Sequence, residues 1–168
     1  MVLKEGEGLL QLFQHAHHRV EGYLIDFCED LEQGRRETEF LARAATELYQ
    51  HMFVEERFLF PLVKERLATV VASLEEEHGR VLDLMEELQG LLRRDADRGT
   101  LQTCTARLMG ALTAHNTAED LGIYPDLLAL LGPSKAQLLL LEVERAEVPR
   151  GWMCAARLGA PRLRSVAD

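Results

Sequence analysis

The sequence predicts an all-α protein: an antiparallel up-down four-helix bundle with a short fifth C-terminal helix. Three observations lead there. Apolar residues recur at steps of three and four along most of the 168 residues, the spacing of a single buried helical face. The alternation by two that marks a half-buried strand is not found. Gly and Pro interrupt the pattern at only a few points, so the connections are short, and short connections make sequential helices antiparallel neighbours. The period lies near 3.5, which favours shallow crossings of about 20°.

The first segment puts Leu10, Phe13, His17, Val20, Leu24, Phe27 and Leu31 on one face, and Gly34 ends it. The second carries Leu41, Ala44, Leu48, His51, Glu55, Phe58 and Leu62 on a similar stripe. Pro61, without an N–H, should kink or close that helix late in its course. Ser73 followed by Glu76 reads as a capping box for a third helix, whose stripe is Leu74, His78, Val81, Met85, Leu88 and Leu92. After a turn at 95–99, Thr100 can cap a fourth helix with Leu108, Leu112, His115, Glu119 and Gly122 inward. Gly132-Pro133 breaks it, and Ser134 with Gln137 starts a fifth. Beyond Pro149 the mixture of Gly, Pro, Arg and Ala is expected to be loose. The expected organisation is a bundle over residues 1–132, then a C-terminal helix and loose tail over 133–168.

Composition narrows the function. A chain of this length is one domain and buries roughly two thirds of its unfolded surface, so it folds without disulfides or a structural metal. Any metal site would serve chemistry. Cys28, Cys104 and Cys154 are an odd, scattered set, which fits a reducing cytosol. MVLKEGEGLL lacks the design of a secretion signal, and LLLL at 138–141 is far too short for a bilayer, so a cytoplasmic protein is expected. Net charge is −9 overall. Residues 150–168 carry Arg150, Arg157, Arg162 and Arg164 against Asp168, a balance of +3, which leaves −12 on the body. Such a surface argues against nucleic acid, and no membrane partner is expected. No Gly-rich phosphate loop or Ser/His/Asp elbow occurs, which excludes hydrolase triads.

One motif is written twice: HMFVEERFLFP at 51–61 and HNTAEDLGIYP at 115–125. His17-His-Arg-Val20 likewise resembles His78-Gly-Arg-Val81, preceding the motif histidine by 34 and 37 residues respectively. Segments 10–62 and 74–127 therefore read as one helical hairpin repeated, with a pseudo-two-fold axis between the motif helices. His17, His51, His78 and His115 fall on the inward stripes, one per helix, and Glu55 and Glu119 share those stripes. A step of four leaves an offset of about 40° and a rise of about 6 Å, so each His/Glu pair can aim at one point. At a step of five, Glu56 and Asp120 lie about 140° round, toward a neighbour or solvent. His15 and His18 sit off the stripe; a slipped register would put His18 in the place of His17.

A lone core histidine is ordinarily a packed residue, and a lone HxxxE is a helical side-chain pair. Four such histidines and two glutamates in repeated registers are another matter. Each unpaired buried charge costs several kcal/mol, and the stripes contain no Arg or Lys. Cations would neutralise the carboxylates, and imidazole with carboxylate suits iron, manganese or zinc. Six ligands are too many for one tetrahedral zinc and suit two six-coordinate ions. With both glutamates bridging and an oxo or hydroxo bridge between the ions, one position on each stays open for dioxygen, peroxide or nitric oxide. Tyr49 and Tyr124 lie near the ligand helices, where contact with a redox centre is the alternative to the aromatic packing expected of them; Glu75, Glu76 and Glu77 are assigned to a solvated face and cap.

These residues resemble the hemerythrin/HHE cation-binding family. AHHRVEGYL is similar to its helix 1 signature, the two HxxxEE/D…[FY]P stretches to its metal-binding helices, and EEEHGRVLDLMEEL to its helix 3, over about residues 8–131. The resemblance implies a non-haem di-iron centre in an up-down bundle, held by His17, His51, Glu55, His78, His115 and Glu119. It implies iron before manganese or zinc, and a protein that binds, senses or reacts with dioxygen, peroxide or nitric oxide. Storage of iron, carriage of oxygen and a metal-gated interaction module are the alternatives; peroxide decomposition is an enzymatic role the site would permit. Oxygen-carrying members have a further histidine where this chain has Leu74, and an Asp where Asp120 stands, without the Glu of Glu119. Asp120 thus remains an alternative ligand, and simple oxygen carriage is disfavoured.

Overall fold

The structure is a computed structural model that describes residues 7–158. It is all-helical among those residues and forms a helical bundle. Four long elements carry it: α1 (Glu7–Glu32), α2 (Thr38–Val54), α4 (Ala68–Arg93) and α5 (Arg98–Gly122). The short α3 (Phe60–Val63) follows α2, and α6 (Tyr124–Leu131), α7 (Pro133–Arg145) and α8 (Ala155–Leu158) follow α5. α1 packs along α2, α4 along α5, and α1 also meets α5; α7 lies on α1, and α8 on α4. No described helix is long and apolar enough to cross a membrane.

The helix ends show which local signals prevailed. Gly34 leaves α1 at φ +74°, a conformation that costs glycine little. Buried Asp30 then fastens the turn into α2, accepting from Arg35 Nε at 2.6 Å and the Glu37 N–H at 2.7 Å. The capping box expected at Ser73 is not used. α4 begins at Ala68, five residues earlier, and the Ser73 hydroxyl bonds Glu77 on its own helix instead. Asp97, not Thr100, caps α5: its carboxylate accepts the Thr100 N–H at 3.0 Å. A carboxylate is a stronger capping acceptor than a hydroxyl, and the Thr100 hydroxyl itself donates to Asp97. α7 starts directly at Pro133, whose fixed φ suits a first helical position, with no side-chain cap from Ser134.

Pro61 neither ends nor sharply breaks its helix. Residues Glu55–Leu59 open into a π turn, in which the Phe60 N–H reaches the Glu55 carbonyl, and helical backbone continues through Val63. A wide turn relieves the proline ring's clash with the carbonyl four residues back. It also adds one residue to the turn. Leu59 and Val63 are therefore buried, where the uninterrupted stripe would have buried Phe58 and Leu62; Leu62 is 51% exposed. Just past the end of α5, Ile123 is buried and Gly122 only partly so. In α1 the first inward residue is Leu9 rather than Leu10.

The core divides into two apolar blocks. One contains Val20, Leu24, Phe27 and Leu31 of α1 with Leu41, Leu48, Met52, Val81, Met85, Leu88, Leu101, Leu108 and Leu112. The other contains Leu9, Phe13, Phe53, Leu59, Phe60, Val71, Leu74, Ile123 and Tyr124, closed over by α6 and α7 through Leu127, Ala136, Leu139 and Val143. Fully burying a Leu or Phe contributes about 1.5–3 kcal/mol, so each block is a substantial anchor. The chain visits the blocks in opposite order on successive long helices, and every passage between them crosses a polar layer.

Residues past Pro149, expected to be loose, are held against the bundle as far as Leu158. Cys154 is fully buried in the first block, and Trp152 packs edge-on against Tyr49 and Phe53 at 6.3 and 5.6 Å between ring centres. The local sequence has no helical period to announce this, because single side chains anchor an otherwise irregular strap. The remainder of the expected tail lies outside the described residues.

Candidate metal centre

The polar layer is made of His17 from α1, His51 from α2, Glu55 from the π turn, His78 from α4, and His115 and Glu119 from α5. All six are at most 5% exposed. They form two groups of converging donor atoms: His17, His51, Glu55 and Glu119, and Glu55, His78, His115 and Glu119. Both glutamates belong to both groups.

Distances inside the layer are those of donors facing a common point. His17 Nε2 and His51 Nε2 are 2.9 Å apart. His17 Nε2 lies 3.0 Å from Glu119 Oε2, and His51 Nε2 3.3 Å from Glu55 Oε2. On the other side, His78 Nε2 is 3.3 Å from Glu55 Oε2 and His115 Nε2 3.3 Å from Glu119 Oε1. Two donors at right angles and about 2.1 Å from one ion would be about 3.0 Å apart. Hydrogen bonding does not account for the set. Glu55 Oε2, His78 Nε2, His115 Nε2 and Glu119 Oε1, all facing the layer, are buried without any hydrogen-bond partner. Such orphans are costly in a protein interior, and lone pairs aimed at a shared point are what cations satisfy. The donor set fits metal.

Around this layer two of the four histidines are held from behind. Glu56 Oε1 meets His78 Nδ1 at 2.8 Å, and Glu77 Oε2 meets His115 Nδ1 at 3.2 Å. Each fixes a ring whose Nε2 faces inward. Burial opposes a proton on His78, yet the carboxylates of Glu55 and Glu56 outweigh it and raise its pKa to about 9 without a cation, so an ion at Nε2 would take the place of that atom's proton. His115 goes the other way, lowered chiefly by burial. The repeated aromatic-proline ending also acquires a purpose. Phe60 stacks on His78 with ring centres 5.4 Å apart, and Tyr124 stacks on His17 at 6.0 Å.

Tyr124 does more than the packing expected of it. Its hydroxyl donates to Glu55 Oε1 at 3.0 Å and approaches Glu119 Oε2 at 3.4 Å, tying the two shared carboxylates together. Burial, then the charges of Glu55 and Glu119, push that phenol well above its ordinary pKa, so it keeps its proton. Tyr49 instead donates outward to Glu86 at 2.9 Å. Glu77, assigned from sequence to a solvated face, was missed as the support of His115; its one signal was adjacency to His78 on a helix packed against α5.

The remaining candidates fall outside the layer. His15 and His18 are exposed, and so is Asp120, which accepts from Gln14 at 3.4 Å. The repeat is thus imperfect: Glu56 reaches a histidine across the bundle, whereas Asp120, its counterpart, faces outward. His18 and Asp120 line a polar cleft of about 320 Å³ between α1 and α5, with Gln14, Glu21 and Asn116, and His17 is at its inner wall.

Helical bundle, buried layer and paired His/Glu groups together define a metal-binding four-histidine, two-glutamate domain. The family model for the hemerythrin HHE cation-binding domain matches residues 9–127, and the chain belongs to that family. No curated protein and no solved structure matches it. The matched span contains all six residues of the layer and ends before α7 and the strap.

Proposed function

We propose that this is a non-haem di-iron protein that binds, senses or reacts with dioxygen, peroxide or nitric oxide. The observation that carries the reading is the pair of buried donor groups sharing Glu55 and Glu119, with four inward-facing atoms left without hydrogen bonds. His17 and His51 would hold one ion, His78 and His115 the other, and both glutamates would bridge. A pair of redox-active ions supplies the binding of, and electron exchange with, such small molecules. The four long helices are taken to run up-down-up-down, a reading supported by the alternating order in which they meet the two apolar blocks. Residues 1–132 would form the metal-binding unit and 133–168 its C-terminal addition.

The protein's own residues set the conditions around the site. Tyr124 keeps a proton poised between the two carboxylates, and Phe13 and Leu74 keep the flank beside it dry. Leu74 offers no nitrogen, so that side lacks a seventh donor. The cleft between α1 and α5 gives a small polar molecule a route to His17. Free cysteines at 28, 104 and 154 are consistent with the reducing cytoplasm in which we place the protein.

Metal analysis of the purified protein with its absorption spectrum, repeated after peroxide or nitric oxide is added to the reduced form, tests this. About two irons per chain and a spectral response to one of these ligands are expected. Peroxide consumed over many turnovers would make it an enzyme; a stable response without turnover would make it a sensor or carrier. A folded protein that takes up no metal would refute the proposal.

A further inference from the structure

Resting on the metal-centre reading, we infer that Glu56 is a positioning residue for His78 and that the C-terminal strap, residues 149–158, completes the site by holding Glu56 in place. The strap is therefore a working part of the centre although it lies outside the family's matched span.

Glu56 has two partners, one on each carboxylate oxygen. Oε1 meets His78 Nδ1 at 2.8 Å, and Oε2 accepts the Ala155 N–H at 2.8 Å. Because a carboxylate only accepts, His78 must carry its proton on Nδ1, which leaves Nε2 as the ring atom offered to the layer. That Nε2 is one of the buried atoms with no hydrogen-bond partner. Ala155 in turn fixes which way Glu56 points. An amide could not serve both partners, since its NH₂ would face one of the two N–H donors.

The rest of the strap is fastened independently. Cys154 is fully buried beside Ala155. Arg157 bonds Asp83 and Glu86 on α4, each at 2.6 Å. Gln50 of α2 donates to the Ala146 carbonyl at 2.8 Å, just before the strap. Gly79, next to His78, makes the approach feasible: a Cβ there would be 2.8 Å from the Ala156 Cβ. Glycine inside a helix is less favourable than alanine, and here its absence of side chain admits α8. Docking of the strap and binding of metal at His78 are then one coupled equilibrium, and coupling is reciprocal.

The test is an anaerobic ferrous titration of the full chain against a competing chelator, on wild type, Glu56→Gln, Arg157→Ala and Cys154→Arg. Strap docking is read separately from the emission maximum of Trp152, the chain's one tryptophan, and from tryptic cleavage after Arg150. Glu56→Gln should weaken ferrous binding about 10–100-fold, the usual effect of losing a ligand's outer partner, and shift Trp152 emission to the red. Arg157→Ala and Cys154→Arg touch no residue of the layer; whichever frees the strap should weaken binding in the same direction. Ferrous loading of wild type should slow cleavage after Arg150. A freed strap with wild-type affinity, or a Glu56→Gln protein with unchanged affinity, overturns this inference alone. A wild-type chain that binds no iron overturns the proposed function as well.

Discussion

Removing one oxygen atom at Tyr124 separates the two roles open to an aromatic beside this layer. In Tyr124→Phe the ring remains, and with it the stacking on His17 at 6.0 Å and the contact with Phe13 at 5.9 Å. The hydroxyl's 3.0 Å bond to Glu55 Oε1 and its approach to Glu119 are lost at a site 3% exposed, where water cannot readily substitute. A hydrogen bond to a charged group is worth about 1.5–3 kcal/mol. For a domain of this size, 1 kcal/mol moves Tm by roughly 2–4 °C, so metal-free Tyr124→Phe should melt about 3–12 °C below wild type. Tyr49→Phe provides the control. It removes a 2.9 Å bond to Glu86 that faces solvent, and should cost below about 1 kcal/mol. Thermal melts of both variants after chelation, followed by circular dichroism, make the comparison. Equal, small losses at the two positions would refute the carboxylate-tying role and return Tyr124 to simple packing.

Four further outcomes are expected. His51→Ala and His115→Ala should each lose metal by elemental analysis, while His15→Ala and His18→Ala should keep it; equal loss in all four would refute the register of α1. Phe27→Ala empties a fully buried position in the block remote from the layer and should cost about 3–5 kcal/mol, read as a lower denaturant midpoint. Acid should loosen α8. Burial by itself would raise the Glu86 pKa, but hydrogen bonds from Arg157 and Tyr49 prevail and lower it below the ordinary 4.5. A lowered folded pKa gives stabilisation that is complete above 4.5 and lost as pH falls through the folded value. Trp152 emission should therefore shift red in that acid range, and this step should vanish in Arg157→Ala. Finally, chelation of the loaded protein should lower its Tm, because binding to the native state alone adds stability by mass action; unchanged melting would mean the layer holds no ion.

Helical period was enough to place the helices and to select four histidines and two glutamates, because position on an α-helix is fixed by local geometry that repeats every few residues. A rotation of about 100° per residue favoured His17 over His18 and Glu119 over Asp120 while leaving both alternatives open; the fold buries the first of each pair and exposes the second. That rule fails where the backbone departs from 3.6 residues per turn. The π turn ahead of Pro61 moved the buried face from Phe58 and Leu62 to Leu59 and Val63, and no periodicity reveals a turn that local sterics open.

Capping was also decided by competition among neighbours. Asp97 took the place open to Thr100, and α4 began at Ala68 before Ser73 could act as a cap. The sequence by itself determined which side chains converge, since that depends on position along each helix. Only the tertiary structure decided what stands behind them: Glu56 and Glu77 on the far ring nitrogens, the Tyr124 hydroxyl across both carboxylates, and Ala155 on Glu56 from 99 residues away. Those contacts join atoms on different elements, and their positions depend on how the helices lie against one another, which is a property of the packed bundle.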